Sequence, residues 1–314
     1  MALRPRSLNR QAVVMSYFRQ VFTEFAADQC TTLAAAISYY TVFALPPLLY
    51  LLMMVVTAGL SLAYDSQVAE EKAGEVLEEQ ATQLIGDEAA VDSIAAMIQR
   101  SRQTEGAWWK VTLSVAGVLL AVTGLMGALQ TALNVVWAVR PDPDRSQVRY
   151  LVRKRAVSFA LVLGLGVLLL VSMTVSGAIA YLGDQLNELA GVDPLPAAWI
   201  NYAVQSLVAF IVFAVVFKVL PDAHVTWRDT FIGALITTAL FLVGRIAIQQ
   251  FFVLSPPGAQ LGGAAASLAA VFAWVYYSAM ILLFGAEATE VYARRRGRDI
   301  QPKSRAVRIA KVME

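Results

Sequence analysis

Of the 314 residues, 58% are hydrophobic and only 15% charged, and the mean hydropathy is +0.60, whereas soluble domains run at about 45–50% apolar and about 25% charged. This composition excludes an ordinary soluble enzyme and predicts an all-α, polytopic membrane protein. The 25 basic and 23 acidic residues nearly cancel to a net charge of +2, so their placement along the chain matters more than their sum. With Cys30 the sole cysteine and His224 the sole histidine, thiolate clusters, Cys-X-X-Cys redox pairs and His-rich zinc sites are all excluded, and neither a Walker loop nor a dinucleotide fingerprint is present. No metal, no cofactor and no enzymatic activity are expected.

Residues 1–30 open with Arg4, Arg6 and Arg10 and lack the apolar core of a secretory signal. Val13, Val14, Tyr17, Phe18, Val21, Phe22 and Phe25 then recur at helical spacing. The spacing predicts a cytoplasmic amphipathic helix lying in the membrane interface, with packing against the bundle as the alternative.

The first span, at about 38–63 within the stretch Thr31 to Ala63, carries Pro46 and Pro47 at its middle. A proline donates no backbone hydrogen bond, so carbonyls near Val42 and Phe43 lose their helical partners, and a kink or break is expected there. Broken helices can line a substrate path, which makes Pro46 and Pro47 a candidate hinge; a structural kink satisfied by neighbouring helices is the plainer account.

From Tyr64 to Ala107 ten carboxylates face three basic residues, a local net charge of −7. Two short amphipathic helices with Gly86-Asp87 as their turn are predicted, forming a small extracytoplasmic acidic cap over 64–107. This cap is a solvated face or a docking surface for an envelope protein.

The second span, about 108–139, has tryptophans near both ends: Trp109 to Trp137 is about 28 residues, or about 42 Å of helix, a bilayer with its interfaces. Within it Gln130 and Asn134 lie one turn apart, with Gly124, Ala128 and Ala132 at four-residue spacing. This pattern suits close helix packing through polar amides, with Tyr39 and Tyr40 as candidate hydroxyl partners, or a substrate contact. Further spans follow at about 156–181, 198–220, 230–254 and 264–286, making six in the membrane domain 31–290, before a basic tail at 291–314.

Lys and Arg number 20 in the two termini and the loops on their side, against four in the opposite connections. The positive-inside rule therefore puts both termini in the cytoplasm. The basic segments 140–155 and 294–311 fit anionic lipid headgroups and topology better than nucleic acid, because aromatic residues are sparse among them.

Arg245 interrupts the fifth span in GALITTALFLVGRIAIQQFF. Near the bilayer centre a guanidinium costs on the order of 2.5–3.5 kcal/mol. It is the leading candidate for binding an anionic group, with snorkelling to the outer interface as the alternative. Glu287 and Glu290 close the sixth span in LLFGAEATEVYARRR, as salt-bridge partners or as coupling or gate carboxylates.

The segments AAAISYYTVFALPPLLYLL, GALQTALNVVWAV, VLPDAHVTWRDTFIGAL and GAAASLAAVFAWVYYSAMILLFGAEAT, in that order over about residues 25–295, resemble the YihY/virulence factor BrkB family of bacterial inner-membrane proteins. The doubled Pro46-Pro47 and the short SPPGAQLGG loop depart mildly from that pattern. The resemblance implies six spans with both termini inside, in agreement with the charge count. Members have carried a ribonuclease label, and some are linked to virulence, serum resistance or envelope lipid transport. The expectation is an inner-membrane protein that transports or handles an anionic lipid or other amphiphile. The alternatives are a non-transporting scaffold whose acidic cap recruits an envelope partner and, on weaker chemistry, a membrane ribonuclease using Asp142, Asp144, Asp222 or Asp229. The sequence leaves the oligomeric state open.

Overall fold

The structure, a computed structural model, describes residues 10–62, 64–85, 108–142, 195–254, 263–304 and 306–309, with helical positions scattered between 156 and 179. Seven helices account for most of it: α1 (Arg10–Ala27), α2 (Cys30–Leu60), α3 (Ser66–Ile85), α4 (Trp108–Val136), α5 (Leu195–Val219), α6 (Trp227–Leu254) and α7 (Gly263–Arg295). Four short strands follow from the helix ends: β1 (Val139–Pro141), β2 (Ala223–His224), β3 (Gln301–Pro302) and β4 (Ala306–Arg308). The fold is predominantly helical, as the composition requires.

Among the described residues, Tyr202–Val219, Trp227–Ala247 and Ala269–Arg295 are long and apolar enough to cross a membrane, and Cys30–Pro46 and Leu120–Val136 are shorter apolar helices. These five lie on the first, second, fourth, fifth and sixth expected spans. The third, at 156–181, is helical at its described positions.

The main helices are placed by side-chain shape and by backbone notches. α2 packs between α4 and α7, α7 against α6, and α6 against α5. At α6–α7, a Cβ on Gly233 would overlap the Thr289 side chain, and one on Gly285 would overlap Thr237. Each threonine hydroxyl turns back onto its own helix, Thr237 to the Gly233 carbonyl and Thr289 to the Gly285 carbonyl, both at 2.8 Å. The two helices thus exchange a Gly-x-x-x-Thr pair. Further along, Gly244 accommodates the Tyr277 phenol, and the order of these three contacts makes the helices antiparallel. Small residues let backbones approach closely where lipid leaves no hydrophobic drive for association.

Several expected features take a different form. α2 begins at Cys30 rather than near 38, and it runs without a break through Pro46 and Pro47. Flanking contacts hold it, since Val42, Ala44, Leu49 and Leu52 are buried while Pro46 is exposed; packing on both sides outweighs the bonds the prolines cannot make. α1 packs on α7, burying Val21 against Ala288 and Val291. Met15, Phe18 and Phe22 stay exposed, although the Phe22 ring still meets Phe284 of α7 at 5.1 Å. The corner between α1 and α2 is Gln29, in the left-handed region at φ 51°, a conformation that non-glycine residues rarely adopt.

α3 realises the first of the two expected cap helices. Its face of Ala69, Ala73, Val76 and Leu77 is buried, with Ala73 and Leu77 in a cluster with Leu52, Val56 and Trp274. Glu70, Glu71 and Glu75 are exposed. The second cap helix and its Gly86-Asp87 turn lie outside the described residues.

The described part of the expected basic tail, through residue 309, forms a strap. α7 continues to Arg295, nine residues past the expected span end at 286, and stops in a Schellman turn. There Gly297 takes φ 69°, Arg298 N–H donates to the Ala293 carbonyl at 3.0 Å and Gly297 N–H to the Arg294 carbonyl at 3.0 Å. The chain then pairs antiparallel as β3 with β2 and as β4 with β1. One strap therefore ties the turn after α4 to the turn after α5.

Candidate functional site at the polar end of the bundle

The chemistry-bearing residues gather where α4 and α5 end, α2 begins and α7 finishes. At the centre is Asp222, in the α5–α6 turn. Its Oδ2 accepts from Gln130 Nε2 and Asn134 Nδ2, each at 2.8 Å, and its own N–H donates to Asn134 Oδ1 at 2.9 Å. Helical periodicity puts Gln130 and Asn134 on one face of α4, and both are buried. The amides therefore hold the VLPDAHV turn. From the strap, Lys303 N–H donates to the Asp222 carbonyl at 2.8 Å and Lys303 Nζ to the Pro221 carbonyl at 2.6 Å. Beneath this network Trp137 meets Phe217 edge-on at 6.0 Å.

A second carboxylate, Asp229, is buried in the first turn of α6. Thr226 Oγ1 donates to Asp229 Oδ2 at 2.7 Å, and Arg298 Nη2 donates to Asp229 Oδ1 at 2.6 Å. A carboxylate in the first helical turn also meets the positive end of the helix dipole. Burying Asp229 is tolerable only because a guanidinium and a hydroxyl engage it.

Glu287 is wholly buried, 0% exposed, with the Cys30 thiol donating to its Oε1 at 3.6 Å. Glu290, one turn away on α7, accepts from Arg294 Nη2 at 2.5 Å, and Arg294 Nη1 reaches Glu24 of α1 at 2.8 Å. The candidate gate carboxylates thus divide: Glu290 holds Arg294, which reaches Glu24 and fastens α1 to α7, while Glu287 sits in the core where α2 starts. Tyr17 adds a bond to the Ala288 carbonyl at 2.7 Å, and Arg295 lies over its ring at 5.5 Å. Burial pushes the Tyr17 phenol up to about 12, with Arg295 opposing and Tyr292 reinforcing.

Other candidate residues lie apart from this cluster. Arg245 donates from Nη1 to Gln205 Oε1 of α5 at 3.2 Å. It is eighteen residues beyond Trp227, about 27 Å of helix, so it belongs to the far end of α6 and not to the polar end. Tyr39 and Tyr40 are exposed, edge-on to each other at 5.6 Å. Tyr40 lies against Gly124, whose added Cβ would approach it at 3.3 Å, so α2 is the helix that α4 approaches closely. Among the described residues neither phenol hydrogen-bonds to Gln130 or Asn134, whose amides meet Asp222 instead.

Sequence reading singled out Gln130, Asn134 and Glu287 but gave Asp222 and Asp229 weight only as nuclease ligands. A usable signal was present: two acids and a threonine in one short turn, LPDAHVTWRD, between apolar helices must find partners when the turn is buried.

A profile for the family described as Virulence factor BrkB matches residues 21–310. UPF0761 membrane proteins from Yersinia pestis (strain Pestoides F) and Yersinia pseudotuberculosis serotype O:1b (strain IP 31758) are each 28% identical over 204 residues, covering 61% of this chain and 62% of theirs. The one from Yersinia pseudotuberculosis serotype O:3 (strain YPIII) is 29% identical over 189 residues, covering 56% and 57%. The chain spans about three fifths of the length of the curated relatives it matches. No solved structure matches.

Proposed function

The chain belongs to the virulence factor BrkB family, and from that premise we propose that it is a non-enzymatic inner-membrane protein, with both termini cytoplasmic, that transports or handles an anionic lipid or a similar envelope amphiphile. The carrying observation is Arg245: a permanent cation within an apolar span, half-buried and bonded only to a neutral amide among the contacts described above. A neutral partner leaves the positive charge uncompensated, and phosphate or carboxylate would complete it. Gln205 holds the guanidinium between α5 and α6, so a bound headgroup would bias how those helices meet.

Purified protein in vesicles provides the test, with transfer of a labelled anionic phospholipid as the readout. Arg245→Gln is expected to slow transfer at least tenfold while Arg245→Lys retains part of it. Unchanged transfer by a folded Arg245→Gln protein would remove the substrate role.

The acidic outer face of α3 favours a second reading, a scaffold that recruits a cationic envelope protein. Here deletion of 65–105 would abolish co-purification of that partner and leave lipid transfer intact. The ribonuclease reading has less support: Asp222 is engaged by Gln130 and Asn134, and Asp229 by Arg298, so both act as structural acceptors. Asp144 lies outside the described residues.

A further inference from the structure

The α5–α6 hairpin carries its own markers of membrane depth. Trp199 is 71% exposed near the start of α5, and Trp227 is 55% exposed at the start of α6. From Trp199 to Val219 is about 30 Å of helix, the thickness of a bilayer's hydrocarbon core. Exposed tryptophans at that separation suit the two membrane–water interfaces. Between them the hairpin turns apolar side chains outward: Leu207 and Ile211 on α5, and Phe231, Leu235 and Val243 on α6. Phe210 and Phe231 join the helices ring to ring at 5.9 Å.

At the Trp227 end this apolar face stops at two cations. Lys218 Nζ lies 5.0 Å over the Trp227 ring and donates to the Val225 carbonyl. Arg228, the next residue after Trp227, is exposed. The nearest acid in sequence, Asp229, is 1% exposed and turned inward onto Thr226 and Arg298. Asp222 likewise accepts from the buried amides of α4. The acids of this turn are thus directed inward, and the outer surface is left cationic just where apolar side chains meet an interface tryptophan.

We infer that this turn is a seat for the headgroup of an anionic phospholipid, with Lys218 and Arg228 donating to its phosphate, Trp227 beside the glycerol and the acyl chains along Phe231 and Leu235. An ammonium has three N–H donors, and the Val225 carbonyl uses one, leaving two for phosphate oxygens. Holding the amine over the indole fixes it in advance, so less side-chain entropy is lost on binding. A soluble anion would find the two charges but not the apolar face below them, and for that reason the occupant is a lipid. The seat rests on membrane residence alone. It lies at the opposite end of α6 from Arg245 and requires no transport.

The full-length protein in mixed micelles, titrated with phosphatidylglycerol or phosphatidylcholine and read by native mass spectrometry, tests this directly. The unaltered chain is expected to retain phosphatidylglycerol preferentially, and Lys218→Gln with Arg228→Gln to lower that preference about tenfold, since each basic residue near a lipid surface contributes comparably. Lys218→Arg with Arg228→Lys should keep it. Arg228→Gln alone alters an exposed side chain and should give about a threefold loss in a chain whose fold is undisturbed. Arg19→Gln, at an exposed basic position of α1 outside the seat, should change little. The seat is wrong if the double variant binds as the unaltered chain does, if Arg19→Gln loses as much, or if glycerol phosphate binds as tightly as the lipid. Because the readout is retention and not transfer, failure here leaves the Arg245 reading standing, and the reverse also holds.

Discussion

Tyr17 illustrates how a single side chain can report a helix contact. Its hydroxyl donates to the Ala288 carbonyl, a residue 271 positions away. Removing it as Tyr17→Phe deletes one partly buried bond and should cost about 1 kcal/mol, read as a lower unfolding midpoint in detergent. The pH dependence has a definite sign. The folded phenol titrates at about 12 against an ordinary 10.0, so the neutral form is the one the fold favours. Its contribution is complete below pH 10 and is lost as pH rises from 10 to about 12. Over that window the midpoint should fall more steeply for the unaltered protein than for Tyr17→Phe; parallel slopes would show that another group governs alkaline unfolding. Asp222 makes the complementary point, because its value lies in the partners it satisfies. Without it the amides of Gln130 and Asn134 would be buried donors with that acceptor gone.

Helix against helix, the α6–α7 pair depends on absent atoms. Gly285→Ala would add helix propensity worth about 1 kcal/mol, yet the new methyl would overlap Thr237. The Thr237 Cβ also lies within 2.9 Å of it, so rotating the hydroxyl aside is not enough. Overpacking typically costs about 1–3 kcal/mol and here acts on backbone spacing, so net destabilisation of about 1–2 kcal/mol is expected. Thr237→Ala in the same chain should recover part of the loss, measured as thermal midpoints of the single and double variants. Losses that simply add would show that the two positions do not share a notch. α2 teaches a different lesson about elements. Two adjacent prolines cost local bonds, yet the helix is continuous through them, with Val42, Ala44, Leu49 and Leu52 buried on either side.

For the molecule as a whole, the strap after α7 decides how separate turns become one polar end. β3 and β4 contribute few backbone bonds, yet they touch both the β1 turn and the Asp222 turn. Ending the chain after Asp299 keeps the Arg298–Asp229 pair and removes the strap. Amide exchange at Val139, Ala223 and His224 should then accelerate more than tenfold, with the helical bundle retained by circular dichroism. Exchange unchanged at those amides would mean that the turns hold themselves.

The membrane class, the positions of the apolar helices and the amphipathic character of α1 and α3 were legible in the sequence, because they follow from local hydropathy and period. Gln130 and Asn134 were legible as a buried polar pair, whereas Glu287, read as closing the sixth span, lies in the core about two turns before α7 stops. Their partners were not. Asp222 lies 88 residues from Asn134, and Glu287 lies 257 from Cys30; period and composition carry no information about which turn faces which helix. Tertiary structure alone assigned the amides to Asp222, separated the roles of Glu287 and Glu290, kept α2 unbroken at its prolines and folded the basic tail into a strap. The physical reason is common to all four: a desolvated polar group must be satisfied by whatever the packed chain brings within about 3 Å, and that neighbour is set by the long-range arrangement of helices.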